Sequence, residues 1–258
     1  MSSPYLLPEI LDYIADLLHD ELETLKRCCL VAKSWVPRTR KHLFADIEFQ
    51  TEEHLRSWKQ GFPDPSTSPA CYAKTLLVGC SQVDVAADAE ADGWIRGFSR
   101  VVRLVVHAYE PFSPIPFHGF SPVPKSLHLD APALPPSRLI NLILSFPLLE
   151  DLAVVAFYEA SVDDDDGSDR PLTAVQPSST PTFTGTLELY IKGGMESVAR
   201  QLLSLPGGIH FRALVLWRFQ EADLLTTMAL VEGCSHTLEC LGISDHRGAS
   251  IQHMRPHR

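Results

Sequence analysis

The residues with the most chemical promise cluster near the C-terminus: Cys234, His236, Cys240, His246, His253 and His257. Thiolates and imidazoles are zinc ligands, but the spacing Cys-x-His-x3-Cys matches none of the common four-ligand zinc frameworks. No metal is expected. Cys234 and Cys240 read instead as small residues at a helix end and a strand start. The run Asp163–Asp166 offers carboxylates to calcium, yet it lacks the alternating ligands, following Glu and loop length of an EF-hand. A solvated loop is expected there. The chain has no Gly-x-Ser-x-Gly elbow, no phosphate-binding glycine loop and no His-Glu-x-x-His pair. Its other histidines and carboxylates fit no stated reaction. No catalytic residue and no cofactor is therefore expected. An unrecognised hydrolase is the rival that a deep pocket with a nucleophile–base pair would favour.

Composition narrows the partners. The chain has 258 residues and a formal net charge of −10. An acidic balance argues against nucleic acid, which needs a cationic face. No N-terminal signal peptide is expected, because Glu9, Asp12, Asp16 and Asp20 interrupt the first apolar run. The longest apolar stretch, around Leu139 to Phe157, is broken by Ser145, Pro147, Glu150 and Asp151 and cannot span a bilayer. Six cysteines without a dense framework read as reduced thiols in a cytoplasmic or nuclear protein. The only asparagine, Asn141, is not in a glycosylation motif.

Three elements are expected in residues 1–50. Leu7-Pro8-Glu9-Ile10-Leu11 opens a helix with Pro in its first turn. Ile10, Leu11, Ile14, Leu17 and Leu18 give it an apolar stripe. Asp20 is a candidate cap for a second helix whose apolar side is Leu22, Leu25, Cys28, Cys29 and Leu30. A third runs through Trp35 to His42, with Pro37 in its first turn and Lys33, Arg38, Arg40 and Lys41 on its wet side. So much apolar surface on three short helices calls for a partner. Residues 51–70 are expected to be a linker, because Gly, Pro and Ser concentrate towards Pro69.

Residues 71–258 carry a repeat. An apolar-x-apolar core recurs at Leu76–Val78, Leu104–Val106, Leu127–Leu129, Leu152–Val154, Leu187–Leu189, Leu214–Leu216 and Leu241–Ile243. The first leucines are spaced 28, 23, 25, 35, 27 and 27 residues apart. A strand plus a helix or turn at periods in the twenties implies stacked parallel strands in an α/β, leucine-rich-repeat-like solenoid. The long spacing holds residues 162–182, acidic and then Pro/Ser/Thr-rich, read as a disordered insertion. Helices are expected at Ser137–Phe146, Met195–Leu205 and Ala222–Gly233. After Ile243 only Ser244–Arg258 follow, without an amphipathic helix, so the last layer is expected to lack a polar cap.

Leu7-Pro8-Glu9-Ile10-Leu11, Ile14, Leu17-Leu18, Thr24-Leu25, Leu30-Val31-Ala32-Lys33-Ser34-Trp35 and Leu43-Phe44 together resemble an F-box. Ala32 departs from it, where many members have Cys. Ser145–Leu152 and Cys234–Leu241 are similar to F-box proteins abundant in mushroom-forming fungi. The resemblance implies that the F-box docks a Skp-family adaptor of a cullin–RING ubiquitin ligase while the solenoid holds a protein substrate. Leu7, Pro8, Ile10, Leu11, Ile14, Leu18, Leu25, Val31, Lys33 and Trp35 would carry the adaptor contact. A scaffold outside any ligase is the alternative.

Side chains alternate along a strand, so residues between and beside the leucines share the face opposite the core. That face is expected to show Arg103, Val105, His107, Ser126, His128, Asp130, Asp151, Val155, Glu188, Tyr190, Val215 and Trp217. The partner contact is assigned to Arg103, His107, His128, Asp130, Glu188, Tyr190 and Trp217 among them. Tyr190 and Trp217 read as aromatic anchors; a Trp217 that merely fills a gap under a loop is the rival.

Overall fold

The computed structural model of the chain describes residues 7–79, 92–107, 123–130, 136–157, 181, 183–192 and 195–244. Eight strands form one parallel sheet in sequential order: β1 (Asp46–Phe49), β2 (Thr75–Gly79), β3 (Arg103–His107), β4 (Ser126–Asp130), β5 (Asp151–Phe157), β6 (Thr186–Lys192), β7 (Ala213–Trp217) and β8 (Cys240–Ser244). Such an order of parallel neighbours is compatible with a strand–helix solenoid. Leu76, Leu104, Leu127, Leu152, Leu187, Leu214 and Leu241 align across the sheet as expected.

The sheet begins one strand earlier than the repeat suggested. Ile47 pairs with Leu76 and Phe49 with Val78, which makes β1 the first layer of the array. The linker expected over residues 51–70 holds α4 (Glu52–Gly61) and the start of a 3-10 turn, Pro69–Tyr72. Thr51 caps α4 by accepting from the His54 N–H. Leu55 is buried, and Trp58 lies edge-on to Phe44 and Phe49. Aromatic packing outweighs the Gly and Pro content that reads as a linker.

A backbone ladder ties the layers together. The carbonyl two residues before each layer's first core residue accepts two N–H groups from the next layer. Ala45 O takes Lys74 N and Thr75 N, Lys74 O takes Val102 N and Arg103 N, and Val102 O takes Lys125 N and Ser126 N. Lys125 O, Gly185 O and Arg212 O repeat the pattern. The exception falls at the junction after β5. Among the described residues, Glu150 O receives only Gly185 N, and Thr186 N donates instead to the Asp151 carboxylate at 2.7 Å. A Cβ on Gly185 would lie 2.1 Å from that carboxylate oxygen, so a larger residue there would push the Asp151 side chain out of this bond. Before it, Phe183 takes a left-handed φ of 44° and packs its ring, tilted by 42°, against Phe211 at 5.1 Å. The insertion expected over 162–182 lies outside the described residues apart from Pro181, which is buried.

One continuous apolar core runs under the sheet, from Ile47 and Phe49 through Phe98, Leu129, Phe146 and Phe183 to Leu230 and Cys234. The helices α5 (Asp92–Arg96), α6 (Pro136–Leu144), α7 (Met195–Leu203) and α8 (Leu224–Gly233) lie between strands in the chain. The apolar residues of α8 do not share one buried face. Leu224, Leu225 and Met228 are exposed, while Thr227, Leu230 and Cys234 face inward. A reciprocal capping box between Gln220 and Asp223 opens the 3-10 turn Glu221–Asp223 that leads into α8. Gly233, expected as a stop signal, is the last helical residue, where a Cβ would come within 2.6 Å of Leu203.

The three N-terminal helices are α1 (Pro8–Leu17), α2 (Leu22–Val31) and α3 (Val36–Leu43). Asp20 is not the cap of α2; the preceding residue is Glu21, with no side-chain cap bond. The helices bury Leu11, Ala15, Leu25 and Thr39, and none of their side chains belongs to the main core. His42 lies 2.8 Å from the Asp16 carboxylate and Arg38 pairs with Asp12, joining α3 to α1. Arg38 is thus a structural partner as well as a surface cation. The Thr39 hydroxyl donates to the Trp35 carbonyl at 2.8 Å, which leaves the Cys29 thiol to donate to Thr39 from α2. The module meets the array where α3 lies against the Pro69–Tyr72 turn.

Candidate functional site

Two surfaces gather the residues that the sequence singled out. The first is on the N-terminal helices, where α1 is apolar on two sides. Leu11 and Ala15 point inward with Ile14 and Leu18 half-buried, while Leu7, Ile10, Tyr13 and Leu17 are exposed. Leu22, Leu30 and Val31 extend that exposed set on α2, with Leu30 at 87% and Val31 at 74% exposure. Of the ten residues expected to touch an adaptor, Leu7, Pro8, Ile10, Val31 and Lys33 are exposed, and Ile14, Leu18 and Trp35 are half-buried. Leu11 and Leu25 are buried and so are not contact residues; they hold the module together. The reading as one stripe missed Tyr13 and merged Leu17, which is exposed, with the inward-facing residues, since the two apolar sides of α1 interleave in the sequence.

The second surface is the sheet face opposite the core. Two rows of side chains run across it in register. One row is Val105, His128, Ala153, Glu188 and Val215; the other is His107, Asp130, Val155, Tyr190 and Trp217. All seven residues assigned to the partner contact fall on this face. Val105 is buried and Arg103 exposed. Asp151, on the same face, is held by the Thr186 N–H and is a structural group.

His107 Nδ1 lies 3.1 Å from Asp130 Oδ2, and the His107 and His128 rings are 6.2 Å apart. Burial holds His128 below the usual imidazole range, helped by His107 and Arg103 and opposed by Asp130 and Glu188. The neutral imidazole is the favoured form. A depression of about 170 Å³ opens where small side chains sit in the rows. Ala153 and Val155 form its floor, with His128 on one side and Glu188, Tyr190 and Trp217 on the other. That volume is below the roughly 300–1,000 Å³ of small-molecule sites and suits one amino-acid side chain. Arg218, with a left-handed φ of 56°, places its guanidinium 4.7 Å from the centre of the Tyr190 ring.

Cys234 is buried at the end of α8 and Cys240 opens β8, the places expected for small repeat residues. Burial raises the Cys234 thiol above its ordinary range, so it stays protonated. Among the described residues, no group of three His, Cys, Asp or Glu side chains could hold a metal. Asp163–Asp166, His246, His253 and His257 lie outside the described residues. No described helix is long and apolar enough to cross a membrane. In comparisons with known proteins, no family model matches the chain, and no curated protein or solved structure matches it significantly.

Proposed function

We propose that the chain is a non-catalytic adaptor with two protein-binding surfaces. The N-terminal helices act as an F-box that docks a Skp-family adaptor of a cullin–RING ubiquitin ligase. The sheet face of a leucine-rich-repeat-like solenoid holds a protein substrate, in the cytoplasm or nucleus, with no nucleic-acid or membrane partner. The observation that carries the reading is the exposed apolar set Leu7, Ile10, Leu17, Leu30 and Val31, on a module that itself buries little. Exposed apolar surface of this kind marks an interface.

The test is co-purification of a Skp-family adaptor with the full chain. Leu30→Asp with Val31→Asp is expected to abolish it while changing stability by no more than about 0.5 kcal/mol, because both side chains are largely exposed. Adaptor recovery equal to the wild type defeats the docking reading. Recovery of the adaptor without a cullin favours the scaffold alternative.

A further inference from the structure

We infer that the depression between His128 and the Tyr190–Trp217 pair receives a basic side chain, arginine above all, from the protein bound on the sheet face. This deepens the proposal that the face is the partner surface and rests on it. Three features carry the inference. Glu188 is half-buried, yet among the described residues its carboxylate has no hydrogen-bond or ion-pair partner. A partly desolvated carboxylate gains most from a cation brought in by a ligand. Its neighbours on the same face are aromatic: Tyr190 lies two residues along β6 and Trp217 pairs with Tyr190 on β7. Ring faces attract guanidinium groups, and Tyr190 already meets one, from Arg218, at 4.7 Å. The floor of Ala153 and Val155 is apolar, which suits the methylene stem of a long basic side chain. A guanidinium can stack on a ring and bond a carboxylate in one plane, which an ammonium cannot.

Arg218 makes the idea separable from a merely structural role. It is a like charge beside the incoming cation and shares the Tyr190 ring with it. Removing Arg218 should strengthen binding, whereas removing Glu188 should weaken it. A loss of packing would weaken binding in both variants.

The probes are three capped pentapeptides, Gly-Ser-X-Ser-Gly with X as Arg, Gln or Glu, titrated into the full chain. The readout is the indole N–H resonance of Trp217, assigned with Trp217→Phe. The Arg peptide is expected to bind about tenfold more tightly than the Gln peptide. Glu188→Gln should remove that preference, Arg218→Gln should raise affinity severalfold, and Glu188→Lys should make the Glu peptide the best ligand. Equal binding of Arg and Gln peptides, tighter binding of the Glu peptide to the wild type, or weaker binding in Arg218→Gln overturns the inference. The two readings fail separately. If a protein captured by the full chain is lost on Tyr190→Ala but kept on Glu188→Gln, the sheet face stands as the partner surface and the basic side chain does not. If Tyr190→Ala also retains it, the face assignment itself falls.

Discussion

The N-terminal helices and the sheet array use apolar residues in opposite ways. The array aligns its leucines from strand to strand, so each new layer buries the face of the one before it, and its core is continuous from Ile47 to Cys234. The helical module buries Leu11, Ala15 and Leu25 and turns Leu7, Ile10, Tyr13, Leu17, Leu30 and Val31 outward. Stacking satisfies a repeat internally. A three-helix unit of this size has too little interior to do so. The array can therefore be stable with its sheet face left for recognition, whereas the module gains stability when something covers it.

The strongest way to break this comparison is to make the same truncation in both regions. Leu129 and Leu25 are each fully buried. Leu129→Ala is expected to cost about 2–5 kcal/mol in urea unfolding of the sheet. Leu25→Ala should remove helical signal from the module while the main transition moves by less than about 0.5 kcal/mol. If both truncations shift one common transition equally, the regions form a single cooperative unit and the contrast fails.

A smaller effect probes the irregular junction of the array. Asp151→Ala leaves Thr186 N without its acceptor and is expected to cost about 1–3 kcal/mol. Glu150→Ala removes only an exposed ion pair with Lys125 and should cost less than about 1 kcal/mol. Equal melting shifts for the two would show that the carboxylate bond is not what closes the ladder there.

The smallest effect concerns pH and separates the sheet face from the module. His128 is held below the usual imidazole range, so the unfolded chain takes up its proton first as the pH falls below about 6.5. The folded state then loses stability until the pH passes the lower folded value, and the contribution is intact above that window. His128→Gln should flatten this part of the stability–pH profile, followed by thermal melts, without altering adaptor capture. An unchanged slope would assign the pH response to other groups.

Much of the array is legible because a strand's period of two leaves little freedom. Once Leu187 and Leu189 face the core, Glu188 and Tyr190 must face away. The first layer was harder to see. Ile47 and Phe49 alternate as the later strands do, but only Ala45 and Asp46 separate them from the apolar Leu43-Phe44 at the end of the helical segment. In α4 the signals Leu55 and Trp58 compete with Gly61, Pro63 and Pro65, and only packing on Phe44 and Phe49 resolves them.

The sequence by itself thus determined the register of β2 to β8 and most side chains of the sheet face, though not Ala153. These follow from local stereochemistry and one buried face. The tertiary structure alone decided which side of α1 turns inward, the phase of α8, and that Glu188, beside Tyr190 and Trp217, has no hydrogen-bond or ion-pair partner among the described residues. A helix apolar on two sides can dock either way, and a carboxylate is paired or unpaired only by what distant segments bring near it. Those choices are made by the packing of neighbours, and periodicity along one segment carries no record of them.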